Sequence, residues 1–196
     1  MQNIRAFAAF LAAFVFAAGG LGGVALGAAP LQYGFYHAPS ASASPAERAL
    51  ALDTARQRLL TAAKSFAGTP YLFGGTTRRG MDCSGFVYRS FRDALGVSLP
   101  RTSEGMFLWS ERIRRDYIQP GDLVFFRTTG TARITHVGIY VGGGRFIHSA
   151  SQGPATGVIF SRLDERYWAG VYAGSGRALP RVERSMLRTP FADHGR

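Results

Sequence analysis

The sequence predicts an α+β fold in which helices precede a small antiparallel β-sheet. Helical periodicity dominates the first half of the chain, and from Pro120-Gly121 onward it gives way to short β-rich runs separated by turns. Helices followed by strands, rather than alternating with them, are typical of the α+β class. With 46% hydrophobic residues, the 196-residue chain can build the core of one ordinary domain.

Three helices are predicted before the strands. Ser44-Pro45-Ala46-Glu47 combines a serine cap, an early proline and a glutamate three residues after the cap, which together indicate a helix start. The second helix follows Asp82, a good N-cap, and runs from about Cys83 to Ala94 before it stops at Gly96. The third is a short helix that begins at Thr102 and runs through about Trp109.

The strands of the second half are short, and glycine-rich or acidic turns separate them. The three glycines of residues 142–144 predict a hairpin between two of these strands. The predicted strands are Leu123–Phe126, Ile134–Val141, Arg145–His148, Val158–Phe160 and Trp168–Tyr172.

The N-terminal segment, residues 1–29, has the layout of a secretory signal peptide. Arg5 is followed by an uncharged stretch whose apolar first half gives way to small residues, as in export signals. The stretch is also long enough to cross a bilayer, so an uncleaved anchor is the alternative and would be the chain's only membrane contact. The glycines after Ala18 favour cleavage. We therefore expect an exported protein, located in the periplasm, the cell wall or the extracellular space.

The remaining boundaries follow from composition. Residues 30–44 mix proline, serine, alanine and aromatic residues without periodicity, which predicts a linker. The folded domain is expected to occupy residues 45–176. Residues 177–196 are rich in arginine and polar side chains, and they are expected to form a basic tail.

The chain is strongly basic, with 23 Lys and Arg against 12 Asp and Glu and a net charge of +11. Such a charge favours an anionic partner, for example nucleic acid, anionic lipid or a polyanionic polymer of the cell envelope. The arginines are scattered, however, and the sequence carries no recognisable nucleic-acid-binding motif. We therefore expect no nucleic-acid partner.

Cys83 is the single cysteine of the chain, and it lies where a glycine-rich loop turns into the second predicted helix. The positive end of a helix dipole favours the reactive thiolate. His136 and His148 follow in the two strands of the predicted hairpin, and if those strands pair, both imidazoles are expected to face the cysteine helix. The pattern predicts a nucleophile, a base and a residue that orients the base.

Two other interpretations use the same three residues. In the first interpretation, Cys83 is a buried hydrophobe and the histidines are structural. In the second, the three side chains bind zinc. A catalytic zinc site usually needs a fourth group and often a nearby glutamate as base. The acidic residues near these motifs are Asp82, a helix cap, and Asp122, which follows a Pro-Gly turn. We expect no metal and no organic cofactor.

Six motifs in order make the chain resemble the NlpC-type papain-like peptidases of the bacterial cell wall, from about residue 59 to residue 176. A single such motif carries little weight, whereas six in the same order are specific. They are Gly68-Thr69-Pro70-Tyr71 with Gly74-Gly75, Asp82-Cys83-Ser84-Gly85-Phe86-Val87, Leu99-Pro100-Arg101-Thr102-Ser103, Gln119-Pro120-Gly121-Asp122-Leu123-Val124-Phe125-Phe126, His136-Val137-Gly138-Ile139-Tyr140 and Phe146-Ile147-His148.

The resemblance implies a papain-like fold and a cysteine peptidase that hydrolyses peptidoglycan stem peptides, typically between D-glutamate and a diamino acid. By matching positions, it implies that Cys83 is the nucleophile, His136 the base and His148 the third catalytic residue. The expected partners are therefore stem peptides of peptidoglycan, and the protein is expected to act as a monomer.

The resemblance also implies residues that line or bind the substrate. Tyr71 matches a tyrosine of the family's site, Asp82 and Ser84 flank the nucleophile, and Arg101 matches an arginine that is either a carboxylate contact or structural. Two departures from the family pattern, Phe73 in place of tryptophan and Met106 in place of a polar residue, concern the fit of the substrate.

Other functions of the same fold remain open at the level of sequence. One is a non-catalytic module that binds the cell wall, although the complete set of cysteine and histidines argues against it. Another is a related thiol acyltransferase or amidase that acts on lipids or small amides, because one fold can carry several activities.

Overall fold

The computed structural model describes residues 38–40, 42–153 and 155–179. The predicted signal peptide and most of the predicted linker and tail lie outside the described residues. Among the described residues, no helix is both long enough and apolar enough to cross a membrane.

Helix α1, Pro45–Lys64, begins at the predicted capping box. The Glu47 amide donates to Ser44 Oγ at 3.3 Å, and the Ser44 amide donates to Glu47 Oε2 at 2.7 Å. Because Pro45 has no amide hydrogen, this helix start leaves three amides without an intrahelical partner, and two of them are thereby satisfied. The prediction for the start of this helix is confirmed.

Helices α2, Cys83–Leu95, and α3, Ser103–Trp109, also begin where the sequence predicts. Asp82 caps α2, and Gly96 ends it with a φ of 71°, a conformation that glycine adopts without steric cost. Apolar residues of α1 and α2, among them Leu59, Phe86 and Phe91, are buried in the larger of two cores.

Six strands form one antiparallel sheet in the order β3-β8-β4-β5-β6-β7. The hairpin between β5 and β6 is confirmed, and its glycines 142–144 all have positive φ. A separate two-stranded ribbon precedes α2. The strands are β1 Thr76–Thr77, β2 Gly80–Met81, β3 Glu111–Ile113, β4 Leu123–Phe126, β5 His136–Gly142, β6 Arg145–Ala150, β7 Gly157–Arg162 and β8 Tyr172–Arg177.

The strand predicted at Trp168–Tyr172 is wrong. Helix α4 covers Arg166–Val171, and β8 begins only at Tyr172. Trp168 and Val171 both pack against the smaller core, and side chains three residues apart share one face of a helix. Packing of the aromatic side chain therefore overrides the strand preference of this run.

The C-terminal boundary of the packed domain also differs from the prediction. Arg177, placed at the start of the tail by the sequence, belongs to β8 and pairs with Glu111 of β3. Its guanidinium bonds both carboxylate oxygens of buried Asp122, and the next two residues, Ala178 and Leu179, are buried. The packed domain extends at least through Leu179.

The sheet separates two layers of apolar side chains. Val137, Ile139 and Ile147 lie in the core that the helices α1 and α2 complete. Phe126 and Phe146 lie in the second core, together with Trp168 of α4 and other side chains. This alternation follows from the period of two along a strand, and it determines where each histidine points.

Candidate active site

Cys83 is the first residue of α2 and is partly exposed. Its Sγ lies 3.9 Å from the carbonyl oxygen of Thr135, and the backbone N–H of Val137 also points to the sulfur. These are the two chain neighbours of His136. The start of the helix and the start of β5 therefore meet at the sulfur.

Opposing effects act on the Cys83 thiol. Burial raises its pKa to about 11, and the nearby Asp82 carboxylate acts in the same direction. The backbone N–H groups of Val137, Ser84 and Cys83 itself favour the thiolate, as expected at the start of a helix, but they do not outweigh burial. In the unliganded protein the sulfur is therefore a neutral thiol at physiological pH.

His136 and His148 form a buried pair. His136 Nε2 lies 2.9 Å from His148 Nδ1, a hydrogen-bond distance. Gly138 lies beside this pair, and a Cβ at that position would stand 3.1 Å from the Cβ of His148 and 2.8 Å from the ring of Phe146. The missing side chain at residue 138 makes room for His148 to pack close to β5.

The expectation that both imidazoles face α2 is wrong. Val137 and Ile139 occupy the face of β5 that packs against the helices, so His136 points to the other face, where its ring stacks on Trp168 with centroids 5.3 Å apart. Because the sulfur contacts the backbone on both sides of His136, Cys83 approaches the histidine from the end of the strand.

Aromatic side chains enclose the pair and hold it neutral. Phe126 and Trp168 contact His136, and Phe146 stacks on His148 with centroids 4.7 Å apart. Burial lowers the pKa of His136 to about 4. Burial also lowers the pKa of His148 well below its usual value, with His136 contributing further.

Ser161 of β7 completes a row of three side chains. Its Oγ lies 3.1 Å from His148 Nε2, so both ring nitrogens of His148 have a polar neighbour. No sequence motif identifies Ser161 or Trp168 as a site residue. The available signal for Ser161 was a polar residue in an otherwise apolar run, which alone does not distinguish a site residue from a surface one.

Asp82, Ser84 and Arg101 are connected to one another. Arg101 donates to both carboxylate oxygens of Asp82 at 3.0 Å, to Ser84 Oγ at 2.9 Å and to the carbonyl oxygens of Gly74 and Gly75. Asp82 in turn accepts from the amide of Gly74. The arginine therefore holds the loop before the cysteine against the start of α2.

The charge of Asp82 is maintained by these bonds. Burial acts against the carboxylate, but hydrogen bonds from Arg101, from the Gly85 amide and from Ser84 outweigh it and hold the pKa of Asp82 below its usual value. Gly85 is also required sterically, because a Cβ there would lie 2.0 Å from the Gly75 carbonyl oxygen.

Tyr71 lies close enough to Cys83 and Asp82 for their charges to affect it. Its backbone forms an isolated bridge with Met81, and its hydroxyl bonds Ser151. Burial raises the pKa of Tyr71, and negative charge at Cys83 or Asp82 raises it further. The phenol is therefore protonated at neutral pH and can donate a hydrogen bond.

An open groove of about 440 Å³ shares Thr135 with the surroundings of the cysteine. Thr135, whose carbonyl oxygen contacts Cys83 Sγ, forms one part of its wall. Hydroxyl side chains dominate the lining, and a single ion pair joins Arg133 to Glu104 at 2.7 Å. The lining residues are Thr102, Ser103, Glu104, Thr129, Thr131, Arg133, Ile134 and Thr135.

Within residues 38–40, 42–153 and 155–179, no group of three or more His, Cys, Asp or Glu side chains has the arrangement of a metal site. His148 Nδ1 and Nε2 face His136 and Ser161.

The fold and this site define a papain-like α+β domain, with a cysteine at a helix N-terminus and a histidine pair on an antiparallel sheet. Residues 68–177 match the NlpC/P60 family, more than half of the chain. The protein belongs to the NlpC/P60 family.

Two similar proteins are named as a murein endopeptidase and a glutamyl hydrolase. The murein DD-endopeptidase MepS/murein LD-carboxypeptidase of Escherichia coli K12 is 38% identical over 126 residues, which is 64% of this chain and 64% of that protein. The gamma-DL-glutamyl hydrolase of Bacillus subtilis is 40% identical over 133 residues, 66% of this chain and 32% of that protein.

A solved structure of a NlpC/P60 family protein from Bacillus cereus has a TM-score of 0.58 and 32% identity, and covers 64% of this chain and 40% of that one. The present chain spans less than two thirds of the length of the curated relatives described above.

Proposed function

We propose that the protein is a peptidoglycan endopeptidase that hydrolyses stem-peptide amide bonds through the Cys83 thiol. The observation that carries the proposal is the 2.9 Å contact between His136 Nε2 and His148 Nδ1, which occurs beside the helix N-terminus that bears the cysteine. Membership of the NlpC/P60 family and the names of its murein hydrolase relatives support the choice of substrate.

The proposed roles follow from the two ring nitrogens of His136. Because Nε2 faces His148, Nδ1 is the nitrogen left to accept the thiol proton as sulfur attacks the carbonyl carbon. The same proton then passes to the leaving amine, and a thioester remains on Cys83. Water attacks that thioester with His136 again as base, which releases the carboxylic acid and restores the thiol.

The neutral state of both groups decides when the proton moves. With a thiol pKa of about 11 and a His136 pKa of about 4, the unliganded protein holds thiol and imidazole rather than an ion pair. Proton transfer is therefore coupled to attack on the bound substrate. The protonated hydroxyl of Tyr71 is suited to donate a hydrogen bond to a substrate oxygen near the sulfur.

The other predicted substrate residues have a positioning role in this proposal. Both terminal nitrogens of Arg101 are engaged by Asp82, Ser84 and the glycine loop, so the arginine shapes the wall of the cleft. The groove that Thr135 helps to line is the proposed path of the substrate chain.

The proposed scissile bond joins D-glutamate to a diamino acid. The name of the Bacillus subtilis relative, a gamma-DL-glutamyl hydrolase, supports it, whereas the Escherichia coli relative is named for DD-endopeptidase and LD-carboxypeptidase activities. We also propose that residues 1–29 direct export, that residues 30–44 link them to the catalytic domain, and that the domain works outside the cytoplasm.

Mass spectrometry of defined muropeptides tests the proposal. Incubation with the wild-type protein is expected to yield fragments cut after D-glutamate, and the Cys83→Ala variant is expected to yield none. Fragments cut at a D-Ala–diamino acid bond would instead assign the DD-endopeptidase specificity. Cleavage that survives in Cys83→Ala, or a folded, reduced wild type that cleaves nothing, would overturn the proposed mechanism. Addition of an amine acceptor would reveal an acyltransferase as an amide product.

A further inference from the structure

Ser161 is the polar neighbour of the histidine pair on the side away from the cysteine. Its Oγ lies 3.1 Å from His148 Nε2, and the serine is only 8% exposed. The strands β6 and β7 are paired at Phe146↔Ser161 and His148↔Ile159, so the backbone fixes the separation of the two side chains.

Three rings pack around the His148 side chain. Phe146 stacks on it, Trp168 meets it edge-on with centroids 4.7 Å apart, and His136 occupies its Nδ1. Among the described residues, Ser161 is the hydrogen-bond partner of His148 Nε2. The histidine itself is fully buried, so Nε2 depends on the serine for a polar partner.

The proton positions along this row depend on one another. A neutral imidazole carries one N–H, and its two nitrogens have opposite roles. If His136 is to accept a proton at Nδ1, its hydrogen sits on Nε2 and is donated to His148 Nδ1. His148 then carries its own hydrogen on Nε2, and the Ser161 oxygen must accept it.

The opposite arrangement disables the base. If the Ser161 hydroxyl donates to Nε2, then His148 carries its hydrogen on Nδ1 and donates it to His136 Nε2. The hydrogen of His136 then sits on Nδ1, where no lone pair remains for the thiol proton. The direction of one hydroxyl bond thus corresponds to a competent or an incompetent base.

We propose that Ser161 is a positioning residue that selects the tautomer of His148 and, through it, the tautomer of His136. The consequence for catalysis rests on the proposed function, whereas the consequence for the tautomers concerns the protein alone. Without the hydroxyl, the competent arrangement leaves the buried Nε2–H of His148 as a donor with no acceptor. A cost equal to one neutral hydrogen bond is about tenfold, so removal of the hydroxyl is expected to lower kcat/KM by about tenfold.

A matched pair of variants isolates the hydroxyl group. Ser161→Thr and Ser161→Val differ by little more than the replacement of a hydroxyl by a methyl group, and β-branched residues suit a strand. Ser175→Ala is the control, because Ser175 is another buried strand serine, bonded to Tyr172 rather than to a histidine.

Nitrogen-15 NMR of the histidine rings reports the tautomers directly. A purely structural role of Ser161 would leave this measurement unchanged. In a Cys83→Ala background, His148 Nε2 and His136 Nε2 are expected to be protonated. The same result is expected when Ser161→Thr or Ser175→Ala is added. In Ser161→Val, signals of the Nδ1–H form are expected to grow. The same variants, with Cys83 restored, are assayed on muropeptides.

Each outcome has a distinct meaning. Unchanged ring tautomers in Ser161→Val, or a wild-type His148 with its hydrogen on Nδ1, would overturn the inference. A loss of kcat/KM that is equal in Ser161→Thr and Ser161→Val would also overturn it, because packing rather than the hydroxyl would then be responsible. If the tautomers are as expected but the wild type cleaves no muropeptide, the proposed function is wrong and the role of Ser161 in selecting the tautomers still holds.

Discussion

The two halves of the site use opposite environments. Around the cysteine, Asp82 and Arg101 form a charged ion pair in which the aspartate is buried and the arginine is partly exposed, and they fix the backbone of a loop and a helix start. Around the base, His136 and His148 are neutral and enclosed by aromatic rings. Charge serves to position the nucleophile, whereas burial sets the protonation of the base.

The largest expected effect comes from removal of the base. His136→Ala is expected to lower kcat/KM by about a thousandfold, because no other described group beside the sulfur replaces its Nδ1. Muropeptide hydrolysis by the purified variant, with circular dichroism to establish its fold, measures the effect. A loss smaller than tenfold would mean that the aromatic enclosure does not house the base.

Acid is expected to weaken the fold through the same residue. The pKa of His136 is about 4 in the folded protein and about 6.5 in the unfolded chain, so above pH 6.5 neither state holds the extra proton. Between pH 6.5 and 4 the unfolded chain alone takes it up, and the free energy of unfolding falls by about 3 kcal/mol.

Urea denaturation at pH 7 and at pH 4.5 measures this dependence. The His136→Gln variant is the control, since carboxylates affect both proteins alike. We expect the loss on acidification to be smaller in His136→Gln than in the wild type. An equal loss in both would show that His136 is not held neutral by burial.

Removal of the negative charge beside the cysteine tests the role of Asp82. Asp82→Asn keeps a side chain that caps helices but weakens the pair with Arg101, and it is expected to lower the free energy of unfolding by about 2 kcal/mol. Because the Asp82 carboxylate raises the pKa of the Cys83 thiol, the variant should also lower that pKa.

The rate of Cys83 alkylation as a function of pH reports the second effect directly. Glu104→Gln is the matched control, because it also removes one carboxylate charge, from an ion pair in the groove. A thiol whose alkylation profile is the same in wild type and Asp82→Asn would contradict the electrostatic effect of Asp82.

The smallest effect is expected from crowding of the histidine pair. Gly138→Ala places a methyl group 3.1 Å from the Cβ of His148 and 3.0 Å from the Ile147 carbonyl oxygen, and is expected to lower kcat about tenfold. Gly130→Ala serves as the control, because a Cβ there meets nothing within 4 Å although its positive φ adds strain. Full activity of Gly138→Ala would mean that the pair tolerates displacement.

Local chemistry made part of this arrangement predictable from the sequence. The capping box at Ser44, the cap at Asp82 and the glycine turn after β5 are each specified by a few adjacent residues, and all three are present in the structure. The chain segments that bear Cys83, His136 and His148 were placed correctly for the same reason, although the roles of these residues remain predictions.

Long-range packing determined what the sequence did not predict. Residues 166–171 form a helix because Trp168 packs against the rings of Phe126 and the histidines, which are distant in the chain. The three residues of β3 carry no apolar alternation, and only their pairing with β8 makes them a strand. The contact of Ser161 with His148 likewise depends on a strand register that no motif encodes.

The position of β8 has a consequence for how the domain is assembled. The last strand of the described residues, β8, lies inside the sheet, between β3 and β4. A chain that emerges amino end first, from a ribosome or from a translocation pore, therefore presents β4 with one unpaired edge until residues 172–177 have followed. The sheet closes only when β8 inserts, so completion of this sheet waits until residues 172–177 have emerged.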